Sequence, residues 1–134
     1  MGPTALAVSA GGRVKAHAFC ALGGAPGGVV VVLVNFAAAA GAAASVAWPA
    51  QQPPAGAQGA LYALSGVAGW GGGEGDAASD WFRAALNNQT LALTASGELP
   101  RMEPVAVPLD APLWLPPASA AFLVWEGAGA QACA

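Results

Sequence analysis

The run VVVVLVNF at residues 29–36 is the clearest structural signal in the sequence. β-Branched side chains favour strands, and an unbroken apolar run of this length is typical of a strand that is buried on both faces. The preceding segment, residues 13–22, alternates between two faces, as a half-buried strand does. One of these faces carries small or apolar residues: Val14, Ala16, Ala18 and Cys20. Glycines and a proline at 23–28 predict a turn between the two strands.

Further short strands are expected along the rest of the chain. Apolar segments at 43–48, 60–64 and 120–125 have the length of strands, and extended chain surrounds Val105 and Val107. Alanine favours helices, but 11 prolines leave few windows long enough for one. The sequence therefore predicts an all-β fold: an antiparallel β-sandwich of about seven to eight short strands with Ala- and Gly-rich loops.

The pair Asn87-Asn88 predicts a hairpin turn between strands at 82–86 and 89–94. Asparagine tolerates the positive φ angles that primed hairpin turns require. Asn88 is followed by Gln and Thr, which makes it an N-glycosylation sequon, and a glycan at the tip of a hairpin would be exposed. Residues 66–80 contain many glycines and are expected to form a loop.

Composition excludes several kinds of site. The 134 residues suffice for one domain, and four basic against seven acidic residues give a net charge of −3. No basic stripe is available to neutralise phosphates, so no nucleic-acid partner is expected. One histidine and two cysteines cannot form a conventional zinc site. The glycine-rich segment at 71–75 lacks the Gly-Lys-Ser/Thr of a phosphate-binding loop, and no cofactor is predicted.

The segment at residues 29–49 carries no charge. Its length would suffice for a spanning helix. Half of it is Ala, Gly and Ser, it contains Asn35, and no Lys or Arg flanks it closely. We therefore expect no transmembrane span. The first residues have neither the basic start nor the apolar run of a signal peptide, and none is predicted in this chain.

The stretch ALNNQTLALTASGELPRMEPVAV, residues 85–107, resembles a characteristic stretch of plant-type heparanase-like proteins, which belong to glycoside hydrolase family 79. That family pattern reads LNG-x-x-L-x-L-T-x-x-G-x-[ILV]-P-x-[ML]-x-P-V. Other segments resemble the family in the same order, so that the resemblance covers nearly the whole chain: residues 1–9, 13–17, 27–36, 113–124 and 130–134. Two departures stand out. His17 and Cys20 are three residues apart where the family has adjacent His and Cys, and Asn88 replaces the glycine of the family's hairpin.

The resemblance implies a domain without catalytic residues. Family members join a (β/α)₈ barrel, which carries the two catalytic glutamates of a retaining glycosidase, to a C-terminal β-sandwich. Residues 13–134 resemble that sandwich, and residues 1–12 resemble the segment that approaches it from the barrel. No catalytic motif of the family is matched by any glutamate of this chain: Glu74, Glu98, Glu103 or Glu126. The expected partners are the barrel and, through it, a glucuronide-containing glycan, and the isolated chain is expected to be inactive.

The resemblance also implies a disulfide between Cys20 and Cys133, the two cysteines of the chain. Such a bond would place the protein in an oxidising compartment: secreted, extracellular or in the cell wall, with a lysosomal, vacuolar or membrane-associated location as the alternative. The other interpretation of the two residues is a pair of unrelated thiols in a reducing compartment.

Two kinds of side chain allow a functional and a structural interpretation. A lone His17 on a strand could be a ligand or a base, but it is more often structural. The five tryptophans could stack on sugars or pack in the core and between domains. Trp70 and Trp81 flank the glycine-rich segment and are the candidates for sugar contact, whereas Trp125 ends an apolar strand and is expected to be buried.

Three functions remain open at this point. The first is the accessory sandwich of a β-glucuronidase. The second is a free-standing carbohydrate-binding module, in which Trp70 or Trp81 would contact an acidic oligosaccharide. The third is a truncated fragment without activity, since Met1 and Gly2 resemble an internal Met-Gly of the longer family members.

Overall fold

The larger sheet is built around the apolar run identified above. The computed structural model describes residues 5–6, 13–23, 25–37, 40–48, 52–66 and 84–134. Within these residues the chain forms strands and one short 3₁₀ helix at Gln131–Cys133. The strands are β1 (Ala5–Leu6), β2 (Val14–Cys20), β3 (Val29–Asn35), β4 (Ala42–Ala44), β5 (Gln58–Gly66), β6 (Ala84–Leu86), β7 (Gln89–Thr90), β8 (Val105–Pro108), β9 (Leu113–Leu115) and β10 (Ser119–Trp125).

β3 is paired along its full length on both sides. Its first residue, Val29, lies opposite Cys20 of β2 and opposite Trp125 of β10, and all of these pairings are antiparallel. Val29, Val31 and Leu33 are fully buried. The predicted central position of this strand is confirmed, because both of its edges are paired. Burial is complete on one face only, since Val32 and Val34 on the other face are half-buried.

β5 shares one of its edges between two shorter strands. β10 occupies one edge of β5, and the other edge pairs with β8 at residues 58–61 and with β6 at residues 64–66. The large sheet therefore runs in the order β1-β2-β3-β10-β5-β6-β7, with β8 beside β5. The local sequence of β5 contains no sign of this division.

A second, small sheet of β4 and β9 covers part of the large one. Ala44, Leu113 and Leu115 of the small sheet belong to the same core cluster as Leu33 and Leu123 of the large sheet. The fold is therefore all-β and antiparallel, with two layers of unequal size, as a sandwich-like fold requires. The described residues form ten strands, more than the seven or eight predicted, because the prediction did not separate several of the shortest strands.

Prolines limit the smaller sheet. Pro112 and Pro116 flank Leu113–Leu115, and proline donates no backbone hydrogen bond to a ladder. Its partner β4 consequently covers only Ala42–Ala44, where the sequence predicted a strand at 43–48.

The second strand of the predicted hairpin is also shorter than expected. β7 ends at Thr90, and a separate loop follows in place of a strand to residue 94. In that loop, the backbone N–H of Thr94 donates to the carbonyl of Glu98 at 2.8 Å, and the N–H of Glu98 donates to the Thr94 hydroxyl at 3.1 Å. These local hydrogen bonds compete with the strand ladder for the same backbone groups. Residues 67–83, which include most of the predicted loop at 66–80, lie outside the described part.

The buried side chain of Asn35 ties the end of β3 to the turn before β10. Its amide nitrogen donates to the carbonyls of Ala40 at 3.1 Å and Pro116 at 2.8 Å, and its amide oxygen accepts from the N–H of Ala37 at 3.1 Å. Asn35 is 1 % exposed. The only polar residue of the buried run is thus fully hydrogen-bonded, as burial of an amide requires.

A short strand precedes β2. β1 lies within the predicted approach segment, residues 1–12, and pairs with β2 through Ala5 opposite Phe19 and Leu6 opposite Ala18. Among the described residues, no helix has the length and apolar character needed to cross a membrane.

Candidate functional site

A disulfide bond joins Cys20 to Cys133, so this part of the prediction is confirmed. Cys20 ends β2, and Cys133 lies in the 3₁₀ helix, with 5.2 Å between their Cα atoms. That separation is within the normal range for a disulfide. The bond connects the first long strand to the C-terminal segment across 113 positions of sequence.

Backbone hydrogen bonds hold the same C-terminal segment at the turn before β3. The N–H of Gly27 donates to the carbonyl of Cys133 at 3.0 Å, and the N–H of Ala130 donates to the carbonyl of Gly27 at 3.0 Å. Gly27 has φ = +84°, and a Cβ there would lie 3.1 Å from the nitrogen of Ala130. Glycine is required at this position both for the backbone conformation and for the close approach.

Asn87 and Asn88 form the tight turn between β6 and β7, as predicted. Their φ angles are +48° and +67°, which are the values of a primed hairpin turn. The two side chains have different surroundings. Asn87 is half-buried, and Asn88 is exposed, as is Thr90 two residues later.

The Asn87 amide fills the gap between β6 and β8 on the edge of β5. Its oxygen accepts from the N–H of Ala63 at 2.9 Å, and its nitrogen donates to the carbonyl of Leu61 at 3.0 Å. The same nitrogen donates to the carbonyl of Glu103 at 3.1 Å. Asn87 therefore replaces a strand residue where neither neighbouring strand reaches. The sequence predicts the turn but not this role, because the partners are distant in sequence.

A shallow cavity of about 270 Å³ lies beside this hairpin. Its lining includes Gln89, Thr90 and Leu91 of the hairpin segment and Val105 of β8. Arg101, which also lines it, lies 3.7 Å from a carboxylate oxygen of Glu103. Both charged side chains are mostly exposed, so this ion pair contributes little to stability.

Trp114 is the most exposed tryptophan among the described residues, at 68 %. It points outward from β9, whereas its neighbours Leu113 and Leu115 point into the core. Its ring lies so close to the backbone of Gly41 that a Cβ at that position would overlap the ring. One indole face is thus supported, and most of the side chain is open to solvent. Trp114 is not among the tryptophans predicted from the sequence to contact sugar, although the alternation Leu-Trp-Leu at 113–115 could have indicated its exposure.

The other tryptophans differ from Trp114 or lie outside the described part. Trp48 and Trp125 meet edge to face, with 5.1 Å between their ring centroids, and the Trp48 indole N–H donates to the carbonyl of Leu109 at 3.3 Å. Trp125 is buried, as expected from the sequence. These contacts are those of core packing. The candidate sugar contacts Trp70 and Trp81 lie outside the described residues.

The ionisable candidates are dispersed. His17 is exposed on β2. Glu98 and Glu103 are exposed in the segment between β7 and β8, and Glu126 is exposed directly after β10. Glu74 lies outside the described residues. In the described part of the chain, no three side chains of His, Cys, Asp or Glu come together as metal ligands.

Comparison with known proteins adds no relative to this description. The sequence matches no protein-family model, and no curated protein matches it significantly. The residues, the fold and the disulfide therefore carry the evidence for a function.

Proposed function

We propose that this chain is the non-catalytic C-terminal β-sandwich of a heparanase-like retaining β-glucuronidase of glycoside hydrolase family 79. In this role it braces a catalytic barrel. The observation that carries the proposal is the disulfide between Cys20 and Cys133. The resemblance implied that the two cysteines of the chain are bonded and not free, although they lie 113 positions apart in sequence.

The all-β architecture supports the same proposal. The resemblance implied an antiparallel sandwich, and the described chain is antiparallel throughout its sheets. The disulfide further supports a secreted, extracellular or cell-wall location, because such bonds persist in oxidising environments.

The exposed apolar side chains are consistent with a domain that packs against another. These side chains offer separate apolar contact points and not one patch, since Leu22 and Phe36 lie at opposite ends of the β2–β3 pair. More than 60 % of the residue surface is exposed at each of Leu22, Phe36, Leu93, Leu99 and Trp114. In the proposed role, some of these side chains contact the barrel.

The reaction itself belongs to the barrel. Retention at a glucuronoside bond requires a nucleophilic carboxylate and an acid–base carboxyl group on opposite sides of the bond. We assign neither group to this chain. Its contribution is to stabilise the barrel that carries them.

Sequencing the 5′ end of the transcript tests the proposal directly. We expect the reading frame to continue upstream of the Met1 codon into a barrel with two catalytic glutamates. A transcript that starts at the Met1 codon, or an upstream frame without such a barrel, would contradict the proposal. A second test is an assay of the purified chain with an aryl glucuronide, for which we expect no turnover above a heat-denatured sample.

Trp114 favours a second candidate function, a carbohydrate-binding module. An indole supported on one side by Gly41 and open on the other provides a flat apolar surface, and sugar rings present matching C–H faces. Titration with acidic oligosaccharides, followed by tryptophan fluorescence, tests this function. Binding that Trp114→Ala abolishes and Leu22→Ala preserves would support it, since the two side chains are 68 % and 69 % exposed. An absence of binding to the wild-type chain at millimolar sugar would exclude it.

A further inference from the structure

We propose that Asn88 carries an N-linked glycan. The inference is independent of the proposed accessory role. Asn88 is followed by Gln89 and Thr90, which completes the acceptor sequence without a proline in the middle position. Asn87 is excluded as an acceptor, because the residue two positions later is Gln89.

The turn presents the Asn88 side chain to solvent. Asn88 occupies a left-handed backbone conformation with φ = +67° at the tip of the β6–β7 hairpin, and it is exposed. The hydroxyl-bearing residue of the sequon, Thr90, is exposed as well. The surface around the acceptor amide is therefore open to a large substituent.

The neighbouring Asn87, and not Asn88, makes the hydrogen bonds that stabilise the turn. Asn87 makes the three side-chain hydrogen bonds to β5 and to Glu103, whereas the Asn88 side chain makes none to the described residues. Attachment of a glycan to Asn88 consequently breaks no hydrogen bond of the described fold. Asn87 thus stabilises the turn, and Asn88 is free to accept a glycan.

Disulfide formation and N-glycosylation take place in the same compartment. A disulfide between Cys20 and Cys133 requires an oxidising environment such as the lumen of the endoplasmic reticulum, and N-linked glycans are attached there. The disulfide is an observation separate from the sequon, since the two features share no residue.

The location also gives the glycan a physical role. β7 ends the path of strands in the large sheet and pairs only with β6 among the described strands. Exposed edge strands promote pairing between molecules, and natural proteins cover or interrupt them. A glycan at Asn88 would cover this edge and the adjacent cavity lined by Gln89 and Thr90.

The test is expression of the full chain behind a secretion signal in a eukaryotic cell, with the protein recovered from the secretory pathway and the medium together. Peptide mass spectrometry before and after treatment with an amidase that releases N-glycans identifies the modified residue. We expect one glycan, and conversion of Asn88 to Asp when the glycan is released.

Paired variants separate loss of the acceptor from loss of folding. Asn88→Gln and Thr90→Ala should abolish the glycan, whereas Thr90→Ser, which keeps the sequon, should retain it. Translocated wild-type chain with its signal removed and its disulfide formed, but without a glycan, would overturn the proposal. A glycan that persists in Asn88→Gln would overturn it as well.

Discussion

At the scale of single residues, two adjacent asparagines with similar backbone conformations have different roles. Both lie in the left-handed region, with φ of +48° at Asn87 and +67° at Asn88. Only the Asn87 amide satisfies backbone groups of β5, at Leu61 and Ala63. A comparison of the two positions therefore distinguishes the contribution of asparagine's backbone conformation to stability from the contribution of its side-chain hydrogen bonds.

We expect Asn87→Gly to lower the free energy of unfolding by about 1–3 kcal/mol, because it leaves partly buried backbone groups without partners. Asn88→Gly is the matched control and should change stability by no more than about 0.5 kcal/mol. Glycine accepts a positive φ at both sites, so the backbone term is similar. Urea denaturation of unglycosylated protein from a bacterial host measures the difference. Equal effects of the two substitutions would show that the Asn87 hydrogen bonds do not stabilise the fold.

At the scale of elements, β9 is short but connects the two layers. Its three residues alternate, with Leu113 and Leu115 in the core and Trp114 outside. Proline on either side prevents the strand from lengthening, so its contribution must come from side-chain packing and not from an extended ladder. Leu115 is fully buried and is among the largest such side chains.

We expect Leu115→Ala to lower the free energy of unfolding by about 2–5 kcal/mol through lost burial and an unfilled cavity. Leu99→Ala removes the same atoms at a site that is 66 % exposed and should change stability by at most about 0.5 kcal/mol. Denaturant midpoints at constant slope provide the comparison. If both substitutions had small effects, the small sheet would not be a part of the cooperative fold.

At the scale of the whole molecule, the disulfide constrains most of the chain. It closes a loop of 113 positions in a domain whose core includes many alanines. Small domains bury a limited fraction of their surface, and alanine adds little apolar area. A covalent constraint on the unfolded state compensates for such a core.

We expect replacement of both Cys20 and Cys133 by Ser to lower the free energy of unfolding by up to about 5 kcal/mol, the value of the chain-entropy model for a loop of this length. Guanidinium denaturation of the oxidised wild type and of the double variant measures the effect. Reduced wild-type protein is the control and should resemble the variant. If the free energies of unfolding differed by less than about 1 kcal/mol, the bond would not stabilise the fold by lowering the conformational entropy of the unfolded chain.

The sequence by itself determined the elements that local pattern controls. The apolar run at 29–36, the alternation at 13–22 and the Asn87-Asn88 turn each predicted a feature that the structure contains. Side-chain periodicity and turn conformation depend on residues within a few positions of one another, so they can be predicted from the sequence alone.

Tertiary structure alone decided how those elements share their edges. Neither the division of β5 between β6 and β8 nor the separate sheet of β4 and β9 appears in any local pattern. The same holds for the hydrogen-bond partners of Asn35 and Asn87, which are up to 81 positions away. Backbone groups at a strand edge accept any strand of suitable geometry, so the choice among partners depends on the packing of the complete core.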